Sequence, residues 1–315
     1  MITYHDVARA YEIVQPVVHK TPLLRSRTLN GIIGNDVFFK GEHFQRVGAF
    51  KIRGAYYKIS SLTEEERRRG IVAHSSGNHA QGVALAAKLL GVRATVVMPK
   101  TSPPIKVRAT KEYGADVLFC EDSSDAREAM AQQLQREHGY ILVPPYDDDF
   151  IIAGQGTVGI EVAQDLPSVE YLFVPVGGGG LIAGSAVAIK HLVSSVKVIG
   201  VETEPANDCS QSFQKKEIVR IPPPNTIADG IRTQSIGQRN FELIMKYVDD
   251  MVTVKDEQVV ETLRFFLERM KIVVEPTGAV APAAVYHNVL GLSGKRICAV
   301  ISGGNIDPAL LKSLL

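Results

Sequence analysis

Apolar and polar positions follow two rhythms along this chain. The runs Val37-Phe38-Phe39, Ile71-Val72-Ala73, Ala94-Thr95-Val96-Val97-Met98, Val117-Leu118-Phe119, Tyr171-Leu172-Phe173-Val174, Val196-Lys197-Val198-Ile199 and Ile297-Cys298-Ala299-Val300-Ile301 read as strands. Several are apolar at both odd and even positions, the pattern of parallel strands covered by helices on both faces. Between them, apolar residues recur at helical spacing over His79 to Leu90, Pro104 to Tyr113, Ser124 to Glu137 and Ile182 to Leu192. Gly91, Gly114 and Gly139 follow three of these helices, where a left-handed residue ends a helix well. The strand–helix alternation predicts an α/β fold of open, twisted parallel sheets joined by right-handed crossovers.

The 315 residues suggest two domains at the usual ~100–200 residues each. A break in composition at Pro144-Pro145-Tyr146-Asp147-Asp148-Asp149 reads as a hinge, and Pro222-Pro223-Pro224-Asn225 as a loop. A compact set of strand–helix pairs from about Gly70 to Pro145 reads as a smaller inserted domain. The boundaries expected are therefore 1–69 with 146–315, and 70–145. No internal repeat or low-complexity tract stands out.

Charge and cysteine usage narrow the function classes. With 35 Lys and Arg against 34 Asp and Glu, the net charge is +1, which argues against a protein that binds nucleic acid by displacing counterions. Glu64-Glu65-Glu66 beside Arg67-Arg68-Arg69 reads as a solvated helix face. Cys120, Cys209 and Cys298 form no CxxC pair or disulfide framework, as in a reducing compartment. No basic-then-apolar leader opens the sequence, and no apolar run approaches the ~20 residues of a membrane span. A soluble cytoplasmic protein is expected.

Val176-Gly177-Gly178-Gly179-Gly180-Leu181 is the sharpest local feature. It follows an apolar strand and opens a helix, so several backbone N–H groups can converge on one anion, and phosphate is the natural ligand. Gly178-x-Gly180-x-x-Ala183 also fits a loose dinucleotide pattern, with Glu202 about where a ribose-binding acid would stand. In Gly48-Ala49-Phe50-Lys51-Ile52-Arg53-Gly54-Ala55, a lysine between Phe and Ile is a candidate desolvated amine of the kind that forms Schiff bases. The plainer reading is a helix-start lysine whose head reaches solvent. Ser75-Ser76-Gly77-Asn78-His79-Ala80-Gln81 joins a strand to a helix and suits a carboxylate, although Ser76 or Asn78 could simply cap that helix. Ser302-Gly303-Gly304-Asn305 closes the last strand where ligands of open sheets gather.

With these motifs in this order, from about Thr21-Pro22-Leu23 to Asn305, the chain resembles the pyridoxal-phosphate enzymes of the tryptophan-synthase-β type (fold type II), and within them the serine/threonine dehydratase and serine racemase family. The dinucleotide reading, that of an NAD-binding oxidoreductase, leaves Lys51, Ser75 to Asn78 and Ser302 without roles. The resemblance implies that Lys51 carries pyridoxal 5'-phosphate as a Schiff base beside Phe50. It further implies that Gly177, Gly178, Gly179, Gly180 and Leu181 hold the phosphate, Asn78 the ring hydroxyl and Ser302 the pyridine nitrogen. Ser75, Ser76, Gly77, Asn78 and His79 would receive the substrate carboxylate. His79 is otherwise one of eight histidines, none in a zinc-ligand spacing, and its plainer role is to orient the loop.

The resemblance also turns Glu202-Thr203-Glu204-Pro205-Ala206-Asn207-Asp208, otherwise a solvated loop, into a divalent-cation site. Glu202, the Ala206 carbonyl and Asp208 would be hard oxygen ligands for Mg2+ or a similar ion, with Glu204 an alternative. Some relatives are activated by ATP at a dimer interface, and Arg46, Gln81, Tyr113, Lys271 and Asn305 stand at positions used there. Tyr146 stands where certain racemases have Asn. With Leu315 following soon after Ser302 to Asn305, the regulatory domain of feedback-controlled threonine deaminases is not expected.

The implied activity is β-elimination of a β-hydroxy amino acid to a 2-oxo acid and ammonia. Lys51 would remove the Cα proton, and reprotonation on the far face by Ser76 would give racemisation. Serine, threonine and 3-hydroxyaspartate all remain open as substrates, as does a primary racemase of the serine or aspartate type. A cysteine-synthase-like β-replacement enzyme would share the fold, but the Ser75 to His79 loop matches the dehydratase form better. A homodimer acting on a small amino acid, with no nucleic-acid or membrane partner, is expected.

Overall fold

The computed structural model describes residues 1–314, apart from the side chain of residue 124. Ten strands run in chain order as β1 (Leu23–Arg25), β2 (Asp36–Gly41), β3 (Ile71–His74), β4 (Ala94–Pro99), β5 (Asp116–Cys120), β6 (Ile141–Leu142), β7 (Tyr171–Pro175), β8 (Lys197–Thr203), β9 (Asp250–Val254) and β10 (Arg296–Ile301). They form a six-stranded sheet of order β1-β2-β10-β7-β8-β9 and a four-stranded sheet of order β5-β4-β3-β6. Every pairing is parallel except β1 with β2. The smaller sheet is drawn wholly from residues between Ile71 and Leu142.

The central strands explain themselves. All six residues of β4 are buried, as are the last five of β10, so alternate side chains feed helical layers on both faces. Gly91, Gly114 and Gly139 do adopt positive φ, at 66°, 98° and 68°. Glu64–Arg69 is a helix with no buried residue, opened by a Thr63/Glu66 capping box. β1, β6 and β9 are additions to the expected set. The first two are only three and two residues long, and all three lie at sheet edges, where burial is mixed and no apolar run forms.

Helices Asp149–Asp165 and Gly180–Leu192 pack backbone to backbone in the main core. A Cβ on Gly156 would lie 2.6 Å from the Gly184 carbonyl oxygen, and one on Gly159 would lie 2.5 Å from that of Ser185. Helix Gly180–Leu192 is buried on every side through Ile189, which fixes the direction in which its glycine-rich start points. Among the described residues no helix is long and apolar enough to cross a membrane, and all three cysteines are free and buried.

Candidate active site

Lys51 opens the helix Lys51–Ser60, and that helix is clasped from two sides. A Cβ on Gly82 would stand 3.1 Å from the Lys51 carbonyl carbon, and one on Gly154 would stand 2.6 Å from Gly54 Cα. Only glycines allow helices Asn78–Leu90 and Asp149–Asp165 so close. Beneath the lysine, Arg53 is fully buried and forms paired bonds to Glu42 (2.7 and 2.8 Å) and Glu161 (2.7 and 2.9 Å). Lys40 completes this buried set, 2.6 Å from Glu161. Two cations therefore face two carboxylates, and the Lys51 helix is tied to the larger sheet by directional bonds.

The Lys51 amine donates to the Pro145 carbonyl at 2.7 Å and lies 5.1 Å from the centre of the Phe50 ring. Some of the residue's surface stays accessible along the cleft, but its surroundings are dense, and burial pulls the ammonium down to about 8. The helix-start lysine therefore does not simply point its head into solvent.

The last strand meets this helix directly. Phe50 N–H donates to the Ser302 carbonyl at 3.2 Å, and Ala49 bridges to Gly303. Ser302 is buried, its hydroxyl 3.4 Å from the Thr277 carbonyl. A side chain on Gly303 would run into the Glu275 carboxylate and stand 3.1 Å from Asn78 Nδ2. Thus Gly303 allows the Ser75 to His79 loop to meet the strand end.

In that loop the helix begins at Asn78, with Gly77 as its uncapped N-cap. Neither Ser76 nor Asn78 caps it, so the plain capping role does not hold; Ser75 Oγ instead accepts from Gly77 N–H at 3.2 Å. Asn78 Nδ2 donates to Glu275 at 2.5 Å and its Oδ1 accepts from Asn305 at 2.9 Å. The His79 imidazole is buried and bonded to the Val143 carbonyl at 2.9 Å. Burial, then the Lys51 charge, pushes its pKa to about 3, so it is a neutral ring that holds the loop in place. Ser76 Oγ accepts from Arg127 at 3.4 Å.

Gly177 to Gly180 link β7 to helix Gly180–Leu192. A Cβ on Gly177 would be 3.2 Å from Ile231 Cα, and one on Gly178 would strike the Tyr146 ring. Gly179 has φ of 94°, and Asn240 Nδ2 holds the Gly178 carbonyl at 2.7 Å, leaving the N–H side of the loop for an anion. Leu181 is buried in the first turn.

Glu202 and Asp208 are both fully buried. Glu202 accepts from Cys209 N–H (3.0 Å), Ser210 N–H (2.7 Å) and the Ser210 hydroxyl (2.7 Å). Asp208 Oδ1 is 3.4 Å from the Thr233 hydroxyl, and its Oδ2 has no hydrogen-bond partner. Burial, then Asp208, lifts Glu202 to about 8, and burial lifts Asp208 to about 7. Ala206 bridges back to Thr203, whereas Glu204 is exposed. Among the described residues no three His, Cys, Asp or Glu side chains cluster as a metal site.

The expected nucleotide positions divide. Asn305 donates to Val47, next to Arg46, and to Asn78, three residues before Gln81. Lys271 is exposed, with its amine on the Glu268 carbonyl at 2.6 Å. Tyr113 is half-buried after helix Pro104–Glu112.

Side chains not anticipated from sequence complete the cleft. Lys106 reaches Asp229 at 2.7 Å and Glu275 at 3.3 Å, and Arg127 stands at Ser76. Each is a charged residue in a helix or loop with charged neighbours, so nothing in the local pattern marks it.

A half-buried lysine of lowered basicity at a helix start, a hydroxyl just past the end of the strand beside it and a glycine-rich anion cradle after another strand define a site for a phosphorylated carbonyl cofactor in an α/β enzyme. Pyridoxal phosphate fits these residues: an amine of lowered basicity, N–H groups at a helix start and a glycine where a side chain would block the cleft. Residues 14–303 match the family described as pyridoxal-phosphate dependent enzyme, and the chain belongs to that family. It is 48% identical over 305 residues to the L-threo-3-hydroxyaspartate ammonia-lyase of Saccharomyces cerevisiae, covering 97% of this chain and 94% of that one. Identity to the serine racemase of Schizosaccharomyces pombe is 47%, with the same coverage. The crystal structure of a threonine deaminase from T.th. superposes with a TM-score of 0.92 at 43% identity, covering 97% of this chain and 99% of that one. The fold is that of the type II, tryptophan-synthase-β-like enzymes.

Proposed function

We propose that this enzyme catalyses β-elimination of L-serine- or L-threonine-type β-hydroxy amino acids, releasing a 2-oxo acid and ammonia, and that it also racemises serine. The observation that carries this reading is the Lys51 amine, held at 2.7 Å from the Pro145 carbonyl with its pKa lowered to about 8, near the range of an effective general base at neutral pH. When bound, pyridoxal phosphate supplies the electron sink that makes the substrate Cα–H acidic. Lys51 would anchor that cofactor, and its free amine would take the substrate Cα proton. Phe50 would lie alongside, Gly177 to Leu181 would hold the phosphate, Ser302 would meet the ring nitrogen and Asn78 the ring hydroxyl. Ser75, Ser76, Gly77, Asn78 and His79 bind the substrate carboxylate at an uncapped helix start. Ser76, with the Arg127 guanidinium beside it, delivers a proton to the opposite face.

The remaining expectations belong to this reading. Residues 1–69 and 146–315 form the cofactor domain, and 70–145 form the domain that brings the carboxylate loop. Glu202, Asp208 and the Ala206 carbonyl hold Mg2+ or a similar cation; the partnerless Asp208 oxygen supports this. ATP as an activator at Arg46, Gln81, Tyr113, Lys271 and Asn305, a homodimer, and a cytoplasmic setting complete the proposal.

A second reading has one observation in its favour. Arg127 at Ser76 is a cation suited to a second carboxylate, as in 3-hydroxyaspartate, and the yeast relative is named for that activity. The test is a visible absorption spectrum of the purified protein with pyridoxal phosphate, then 2-oxo acid release and product chirality on serine, threonine and 3-hydroxyaspartate. Failure to bind the cofactor, or absence of 2-oxo acid from all three, refutes the proposal.

A further inference from the structure

The peptide unit between Gly178 and Gly179 is gripped at its carbonyl end. Asn240 is fully buried in helix Gln238–Tyr247, and its Nδ2 donates to the Gly178 carbonyl at 2.7 Å. Gly237 N–H, just before the same helix, donates to that carbonyl at 3.3 Å. The helix start comes this close because Gly179 has no side chain: a Cβ there would lie 2.9 Å from Asn240 Cβ. Gly237 cannot cap the helix itself. Asp147, two residues after the carbonyl that receives the Lys51 amine, caps it from outside by accepting from Arg239 N–H at 3.0 Å. A Cβ on Gly237 would stand 2.6 Å from the Asp147 carboxyl carbon, so this glycine lets the cap approach.

A trans peptide sets its N–H opposite its C=O. Two donors drawing the Gly178 carbonyl towards helix Gln238–Tyr247 therefore turn the Gly179 N–H away from that helix. Among the described residues nothing accepts from this N–H. The loop cannot hold the plane unaided, because it has glycine on both sides and Gly179 stands at φ 94° and ψ −9°. The Asn240 amide has one workable orientation: turned over, its Oδ1 would face the Gly178 oxygen. As it stands, that Oδ1 is buried without a hydrogen-bond partner. An orphan acceptor is a cost to the fold, and it accompanies the donor end being in place.

We infer that Asn240 is a positioning residue for the phosphate cradle: by holding the Gly178 carbonyl it aims the Gly179 N–H at the anion, and Asp147 supports it by capping the helix that carries it. The role rests on the reading that Gly177 to Leu181 hold the cofactor phosphate. It differs from a packing role in what it controls. Leucine is close to asparagine in volume and would remove the orphan oxygen, while the Gly178 carbonyl would keep the Gly237 donor. The fold then has little to lose. The anion site loses one fixed donor.

The test measures the affinity of cofactor-free protein for pyridoxal phosphate and for pyridoxal, which share ring and aldehyde and differ in the phosphate. In Asn240→Leu the dissociation constant for pyridoxal phosphate should rise about ten-fold, the scale of one hydrogen bond to a charged group. That for pyridoxal should stay within about two-fold of wild type, and the urea midpoint of the cofactor-free variant should match or exceed wild type. Asp147→Ala, at a half-buried position, should cut the preference for the phosphorylated aldehyde about three-fold through loss of the cap. Asp147→Asn, which keeps an oxygen for Arg239 N–H, should restore it. If Asn240→Leu does not fold, the two Asp147 variants carry the test. Equal weakening towards both aldehydes, or an unchanged preference in Asn240→Leu (in Asp147→Ala where the former fails to fold), overturns the role while leaving the proposed activity standing. A wild type that binds pyridoxal as tightly as its phosphate overturns the reading of the glycine loop, and the role with it.

Discussion

The N–H of Phe50 donates to the carbonyl of Ser302 at 3.2 Å, joining the residue before the candidate Schiff-base lysine to the residue that follows the central strand β10. With the Ala49–Gly303 bridge beside it, this bond makes the start of the Lys51 helix a continuation of the strand end. The amine and the Ser302 hydroxyl are consequently fixed relative to each other by main chain. Long side chains searching for each other would lose more entropy to reach the same geometry.

That fixed amine should titrate abnormally. Burial lowers Lys51 to about 8, against ~10.4 for an unperturbed lysine. In cofactor-free protein its neutral, nucleophilic form should therefore grow in as pH rises through about 8, while surface lysines remain charged. The sign for stability follows: protonation favours the unfolded chain, so this group's contribution is full above the unfolded value. It declines as pH falls towards the folded value and is level below it. Acylation at limiting reagent, with peptide mapping across pH, measures the midpoint; a midpoint above ~10, the unperturbed value, would contradict the desolvated site. Lys51→Ala should abolish turnover and borohydride-reducible attachment of the cofactor.

Arg53 should matter to stability more than its distance from the chemistry suggests. Replacing it with Met leaves Glu42 and Glu161 buried with only Lys40 for charge balance. Breaking a buried set from one side costs on the order of 3–5 kcal/mol, read as a lower urea midpoint at unchanged slope. Arg68→Met, at an exposed i,i+4 pair, should move that midpoint by no more than ~0.5 kcal/mol equivalent. Equal shifts in the two variants would show that the buried network is not a clamp on the Lys51 helix.

How far the site can be read from sequence depends on what marks a residue locally. Lys51 is marked by its apolar neighbours Phe and Ile, and the glycine run before Leu181 and Ser302-Gly303-Gly304 are marked by composition after strand ends. The α/β order follows from apolar runs such as Ala94 to Met98. Lys106 is not marked, because Arg108, Lys111 and Glu112 share its helix and only packing decides which side chain crosses the cleft. Glu275 carries no local signal either, since an acid before Pro276 at a helix start is ordinary. Its importance comes from Gly303, whose missing side chain leaves room for the carboxylate. β1, β6 and β9 were illegible because edge pairing needs no apolar run.

A divalent cation should stabilise the loop after β8. The Glu202 and Asp208 carboxylates are buried together, and one Asp208 oxygen lacks a hydrogen-bond partner. Mg2+ at about 100 times its dissociation constant would add about 2.7 kcal/mol by mass action, seen as a rise in Tm after EDTA treatment and readdition. Asp208→Asn should remove that response. If EDTA and Mg2+ leave both Tm and rate unchanged in the wild type, the pair is a buried acid cluster that shares protons and binds no metal.

Ser76 offers the sharpest division between two activities of one site. Elimination needs a base on one face of the substrate Cα, the role proposed for Lys51. Racemisation also needs a proton donor on the other face. A serine hydroxyl is a poor acid and base unaided, but the Arg127 guanidinium 3.4 Å from Ser76 Oγ favours the alkoxide electrostatically even though the contact is long for a strong hydrogen bond. Ser76→Ala should therefore keep deamination of L-serine or L-threonine within about ten-fold, a loss of no more than ~1.4 kcal/mol. It should lose D-serine formation and any action on D-substrates. Arg127→Met, which keeps the hydroxyl and removes the charge, should slow racemisation more than elimination. Chiral chromatography of the amino acid alongside a 2-oxo acid assay separates the outcomes. If Ser76→Ala racemises as fast as wild type, the hydroxyl serves only the carboxylate, and the second proton comes from elsewhere in the cleft.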